Sequence, residues 1–90
     1  MPILAQANPT DRFLAFLRIE CGLSANTLEA YERDLRDLGA DLREHGGVDL
    51  TSATTADLIG HLTRLRTERR LASTSIARHL ATIRMFFRWH

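Results

Sequence analysis

The residues of this chain best suited to contacting a polyanion lie in its last twenty positions. Ser73, Thr74 and Ser75 open an amphipathic segment with a run of hydroxyl groups, and Arg78 follows about one helical turn later. A helix start exposes backbone N–H groups and the positive end of the helix dipole, and both attract anions such as phosphate. The short side chains beside Arg78 would let a phosphate backbone approach. The segment therefore fits a DNA-facing helix, although ordinary solvated helices often begin in the same way.

Residues that could catalyse a reaction are scarce. His61 and Arg64 form a His-x-x-Arg pair, but two residues at helical spacing arise easily by chance, so a structural role is favoured. The four histidines share no metal-ligand spacing with a second ligand, and the sequence contains no Gly-rich phosphate loop and no Ser-His-Asp set. The sequence therefore predicts no catalytic residues, no metal and no cofactor.

Charge is distributed unevenly along the chain. All 12 basic residues are arginine, and against 11 acids they give a net charge of only +1. Residues 1–45 hold five arginines and eight acids, whereas residues 46–90 hold seven arginines and three acids. The C-terminal half is therefore the basic half, which suits an anionic partner on that half.

Length and composition fit one small cytoplasmic domain. Ninety residues with 44% hydrophobic content are enough for a single core. The single cysteine, Cys21, excludes an internal disulfide and is expected in the core at the end of a helix. The sequence has no secretory signal and no run of 18 apolar residues, so we expect a cytoplasmic protein without a membrane partner.

Apolar residues recur at helical spacing in four segments, and no strand pattern appears. The first helix is expected to begin at Asn8 and to stop at Gly22, the residue that most readily adopts a left-handed conformation. The second is expected to start at the cap Ser24 and to end before Gly46. Residues 1–7 lack periodicity and are predicted to form a disordered tail.

The third helix is expected to start at Thr54 and to end near residues 66–70, and the fourth follows with Ser73 as its cap. The predicted buried stripe of the fourth helix consists of Ile76, Leu80, Ile83 and Phe87. Thr82 is expected to point away from it. Residues 8–90 should therefore form one compact, all-α, four-helix bundle.

Three stretches of the sequence carry a family resemblance. They are the Phe-Leu-x-Phe-Leu run at residues 13–17, the Gly-Leu-Ser-Ala-Asn-Thr-Leu run that begins at Gly22 and continues through Tyr31 to Leu35, and the Ser-Thr-Ser-Ile-x-Arg run that begins at Ser73. In order and spacing they resemble the N-terminal core-binding domain of Xer-type tyrosine recombinases and phage-type integrases. The resemblance covers nearly the whole chain after residue 7. It implies a SAM-like helical domain that forms half of a clamp around duplex DNA.

The resemblance also implies partners and contact residues. The partners would be the double-stranded DNA of a recombination half-site, the C-terminal catalytic domain of the parent chain and other recombinase protomers. That catalytic domain would supply the nucleophilic tyrosine, so the chain as given is expected to be non-catalytic. Carried over by position, the DNA-facing residues would be Asn26, Thr27, Arg33, Ser73, Thr74, Ser75 and Arg78. Arg78 could contact a phosphate or read the edge of a guanine base, and the sequence leaves both roles open.

Two other functions fit the same pattern of helices. A helical protein-interaction module would use Met85, Phe86 and Trp89 as a docking patch, because Met85 and Trp89 lie outside the predicted stripe and Trp89 would be exposed. A small helix-turn-helix regulator would instead dimerise on palindromic DNA through one recognition helix. Self-association without DNA affinity would distinguish the interaction module from both DNA-binding functions.

Overall fold

The computed structural model describes residues 8–90, which fold into four α-helices joined by short connections. The helices are α1 (Pro9–Glu20), α2 (Ala25–His45), α3 (Thr55–Thr67) and α4 (Ser73–Trp89). One turn of 3-10 helix, Leu50–Ser52, lies between α2 and α3. The predicted all-α bundle is confirmed, whereas the predicted tail at residues 1–7 lies outside the described residues. Across positions 8–90 no helix combines the length and apolar character required to cross a lipid bilayer.

Three helix starts are fixed by side-chain caps at the predicted residues. Asn8, Ser24 and Thr54 each accept a hydrogen bond from the backbone N–H three residues further on, at 2.8, 3.3 and 3.2 Å. At Thr54 the cap is reciprocal, because the Asp57 carboxylate accepts the Thr54 N–H at 2.9 Å. Gly22 adopts φ 65° directly after Cys21, the C-cap of α1. Caps of this kind are each worth about 1 kcal/mol, so local sequence is sufficient to position these three starts.

The start of α4 differs from the prediction. Ala72 occupies the cap position and Ser73 is already the first helical residue, so no side chain caps this helix. The preceding turn explains the shift. Arg70 adopts a left-handed conformation with φ 54°, and the Leu71 N–H donates to the Leu65 carbonyl at 3.0 Å. This turn closes α3 and leaves Ala72 extended, so the first N–H groups of α4 have no side-chain acceptor.

The hydrophobic core is built around α2, which packs against each of the other three helices. One cluster of buried side chains consists of Phe13, Leu17, Leu35 and Phe86, and a second consists of Leu38, Leu42 and Ile83. The rings of Phe13 and Phe86 meet edge to face with their centroids 5.4 Å apart, which joins α1 to α4. Burying each of these side chains contributes about 1.5–3 kcal/mol.

The buried face of α4 is rotated away from the predicted stripe. Ile76, Leu80 and Phe87 are only half-buried. The fully buried residues of the helix are His79, Thr82, Ile83 and Phe86. Thr82 was expected to point outward, but its hydroxyl donates to the buried carboxylate of Asp34 on α2 at 2.9 Å. The rotation therefore serves polar pairing as well as apolar packing.

Two predictions about individual side chains were wrong. Trp89 is half-buried instead of exposed, because its ring system packs 5.4 Å from the Phe13 ring of α1. Cys21 is exposed instead of buried. It occupies the C-cap of α1, where its backbone N–H donates to the Leu17 carbonyl while its side chain faces solvent.

Candidate nucleic-acid interface

Three aspartates on one side of α2 join this helix to the basic half of the chain. Asp34, Asp37 and Asp41 follow each other at steps of three and four, which places them on one side of the helix. We call them the acidic seam. Each binds a different part of the chain: Asp34 binds α4, Asp37 binds the turn after α3, and Asp41 binds α3. The acidic seam thus sets the positions of three basic side chains, Arg64, Arg69 and Arg78.

Asp34 holds Arg78 by two parallel hydrogen bonds. Arg78 Nε donates to Oδ2 at 3.0 Å and Nη2 donates to Oδ1 at 2.8 Å. The Asp34 side chain is 1% exposed and that of Arg78 is 44% exposed, so the pair extends from the interior to the surface. The hydrogen bond with Asp34 raises the pKa of Arg78 above its usual range. Arg78 was predicted to face DNA, and one edge of its guanidinium is bound to Asp34 within the bundle.

His79 lies behind this pair in the protein interior. Its Nε2 is 3.4 Å from Asp34 Oδ1, and its Nδ1 has no hydrogen-bond partner among residues 8–90. Burial lowers the pKa of His79, against the opposing attraction of Asp34. Nε2 is therefore the ring nitrogen that faces the carboxylate.

Asp41 explains the His-x-x-Arg pair of the sequence. His61 Nδ1 lies 2.5 Å from one carboxylate oxygen, and Arg64 Nε donates to the other at 2.8 Å. Burial opposes ionisation of Asp41, but the hydrogen bonds from His61 and Arg64 outweigh it and lower its pKa. The pair anchors α3 to α2. Among the residues that the structure describes, no group of three or more His, Cys, Asp and Glu is placed to hold a metal ion.

The predicted contact residues of α2 lie along the border of the seam. Asn26 and Arg33 are separated by seven residues, or about two turns, so they share one side of the helix, and both are exposed. Arg33 makes no ion pair with any residue of the described part of the chain. Thr27 is half-buried, and its hydroxyl accepts a hydrogen bond from Ser24 at 3.0 Å. Within residues 8–90, Arg33 is therefore an exposed cation without an ion pair on this side of α2.

The predicted contact residues of α4 lie at its uncapped start. Ser73 and Thr74 are exposed and Ser75 is half-buried. Arg78 follows at the next turn, bound to α2 through Asp34. Because Arg78 is bound to Asp34, the residue after Arg33, the second turn of α4 lies beside the middle of α2. The two helices that carry the predicted residues are thus joined at this pair.

Comparison with known families shows which family this helical domain belongs to. The family model of the phage integrase N-terminal SAM-like domain matches residues 10–90. The chain belongs to this family. The four helices described above are thus those of a SAM-like domain.

Similar curated proteins are tyrosine recombinases. This SAM-like domain is 43% identical over 79 residues to tyrosine recombinase XerD of Agrobacterium fabrum, covering 88% of this chain and 23% of that protein. Identity to XerD of Listeria monocytogenes is 41% over 80 residues, covering 88% and 27%. Identity to tyrosine recombinase XerC of Herpetosiphon aurantiacus is 35% over 79 residues, covering 88% and 26%. The chain therefore spans about a quarter of the length of these relatives. No solved structure gives a significant match.

Sequence reasoning missed the main polar residue of the SAM-like domain, Asp34, and its counterpart Asp41. A signal was present in the sequence. Both acids directly precede buried leucines of α2, Leu35 and Leu42, and they are seven residues apart. At that spacing they must lie beside the apolar stripe, where a carboxylate needs a partner from a neighbouring helix.

Proposed function

We propose that this SAM-like domain binds duplex DNA as the core-binding part of a site-specific tyrosine recombinase. The observation that carries the proposal is the packing of α4, which has an uncapped start, against α2, with an exposed arginine on each helix. We call this part of the surface the shared face of α2 and α4. The proposed contacts are Asn26, Thr27, Arg33, Ser73, Thr74, Ser75 and Arg78. The tyrosine recombinase names of the relatives support it.

Phosphate binding would fall to two features of this face. The first N–H groups of α4 lack a side-chain acceptor, and the hydroxyls of Ser73 and Thr74 lie beside them. A phosphate oxygen can accept hydrogen bonds from such groups at the positive end of the helix. Arg33 adds an exposed cation that no carboxylate of residues 8–90 neutralises. Together these contacts would orient the duplex across α2 and α4.

The proposed partners follow from the relatives' length. The chain spans about a quarter of each relative, so the remainder of a parent recombinase would hold the catalytic domain that cuts and rejoins DNA. Other recombinase protomers on the same DNA would be further partners. This chain's role would be to hold a recombination half-site in the cytoplasm while strand exchange takes place elsewhere in the assembly.

A duplex titration followed by fluorescence anisotropy, repeated at several salt concentrations, tests the proposal. The logarithm of the binding constant should fall linearly with the logarithm of the salt concentration, with a slope of roughly −0.9 for each phosphate that the protein neutralises. Absence of binding at low salt would contradict it. Self-association on size exclusion without DNA binding would favour a protein-interaction module, although Trp89 of the expected docking patch is already half-buried against α1.

A further inference from the structure

Arg78 is fixed in place before any ligand arrives. Its two bonds to Asp34 are parallel, and the carboxylate is itself held by the Thr82 hydroxyl, which donates to Oδ2 at 2.9 Å. The Asp34 side chain is almost fully buried, so the bundle encloses the carboxylate that holds Arg78. Conformational freedom that a surface arginine would lose on binding is therefore already lost on folding.

The bound edge of the guanidinium leaves the other edge free. Arginine has five N–H donors in a rigid plane, and Asp34 takes one from Nε and one from Nη2. Three donors remain. One on Nη1 and one on Nη2 point side by side on the edge that Asp34 does not bind, which is the geometry that binds two acceptors in one plane. Guanine offers such a pair, O6 and N7, in the major groove.

The surroundings of Arg78 allow a base edge to reach it. Thr74, Ala77 and Ala81 are its neighbours along the helix, and all three are short and exposed. Arg78 also lies in the second turn of α4, and residues near the start of a groove-binding helix are those that contact base edges. No bulky side chain of the helix therefore keeps the floor of a groove away from the guanidinium.

The charge balance separates Arg78 from a phosphate-neutralising arginine. Its positive charge is compensated by the Asp34 carboxylate at 2.8 Å, so a phosphate gains little net attraction there. Hydrogen bonds from Arg78 to neutral acceptors depend on the geometry of its donors, so they keep their strength although Asp34 compensates the charge. Arg33, which lacks an ion pair within residues 8–90, has the opposite character. The same face thus holds one arginine suited to phosphate and one suited to a base.

We propose that Arg78 is a specificity-determining residue that reads a guanine edge, and that Asp34 is the positioning residue that holds it. The inference rests on the proposed function, since it requires that α4 meet duplex DNA. A purely structural Asp34–Arg78 pair would leave base preference unaffected when the pair is altered.

Selection from a random duplex library tests this directly. The wild-type chain should enrich guanine at one fixed position, with discrimination on the order of tenfold over other bases. Arg78→Lys keeps a cation for Asp34 but loses the planar fork, so this preference should drop below about threefold while circular dichroism shows an unchanged fold. Asp34→Asn should weaken the same preference without lowering affinity for duplex in general. Guanine preference retained in Arg78→Lys would overturn the inference.

A salt titration separates base reading from phosphate contact. The double variant Asp34→Asn with Arg78→Ala removes the pair with no change in net charge and leaves no unpaired carboxylate. Its salt slope should equal that of the wild-type chain. A slope reduced by about one unit would make Arg78 a phosphate contact and overturn the inference, while leaving DNA binding in place. If the wild-type chain binds no duplex at all, the proposed function and the inference both fail.

Discussion

The guanidinium of Arg78 and the carboxylate of Asp34 form a two-bonded ion pair that joins α4 to α2 across 44 residues of sequence. The carboxylate of this pair is buried with Thr82 and His79, and the guanidinium of Arg78 reaches solvent. The pair therefore links the stability of the bundle to the geometry of the proposed DNA-binding face.

Substitutions of Arg78 and of Asp34 should lower the free energy of unfolding by different amounts. Arg78→Ala leaves a buried carboxylate without its main partner, and loss of one partner of a buried pair costs about 3–5 kcal/mol. Asp34→Asn leaves Arg78 free to move into water and should cost less, about 1–3 kcal/mol. Urea denaturation of both variants would test this ranking, and equal losses would show that the pair behaves as an exposed ion pair.

Arg33 should account for one phosphate contact. Arg33→Ala should reduce the slope of log affinity against log salt by about one unit, because one fewer counterion is released. Arg18→Ala is a matched control, since Arg18 is also exposed and without an ion pair in residues 8–90 but lies on α1. Equal changes in the two variants would mean that only net charge matters and would remove Arg33 from the interface.

A negative charge at the start of α4 should have opposite effects on folding and binding. Ser73→Asp places a carboxylate in the first turn of an uncapped helix and should stabilise the protein by about 0.3–1 kcal/mol. The same charge should repel phosphate and weaken duplex binding several-fold. Thr55→Asp, at the first residue of α3, is the control and should leave binding nearly unchanged. Similar binding losses in both variants would contradict a specific role for the α4 start.

Acid should destabilise the protein through His79. Burial lowers the pKa of His79 in the folded state below its unfolded value of about 6.5, so the unfolded chain binds more protons as the pH falls. The stabilisation is present above about pH 6.5 and is lost below it. The groups that influence the ring are Asp34 and Asp37 of α2, His61 of α3 and Arg78 of its own helix.

His79→Gln, which keeps a donor near Asp34 but does not titrate, should lose less stability than the wild-type chain between pH 7 and pH 5. Denaturant midpoints measured at both pH values test this. Asp41 also has a lowered pKa, but its contribution is lost only as the pH falls below about 4, outside this window. An equal loss of stability in both proteins would assign the acid sensitivity to groups other than His79.

Helix number and most helix starts could be predicted from the sequence, because caps and apolar periodicity are local signals. Asn8, Ser24 and Thr54 cap the helices as expected. The α4 start was misplaced by one residue because the left-handed turn at Arg70 has no glycine to mark it.

The polar contacts between helices could not be predicted in the same way. An apolar stripe gives the direction of a helix face only approximately, and it omits buried polar residues such as His79 and Thr82. Both are buried because Asp34, 45 and 48 residues away in sequence, lies opposite them in the bundle. Partners at that distance in sequence are set by tertiary packing.

The most direct test of DNA binding by the shared face of α2 and α4 is an NMR titration of the ¹⁵N-labelled chain with duplex at low salt. The largest amide shifts should occur at Asn26, Arg33, Ser73 and Thr74, together with a shift of the Arg78 Nε resonance, while α1 stays unchanged. Shifts concentrated on α1 or on the outer side of α3, with residues 73–78 unaffected, would contradict the account.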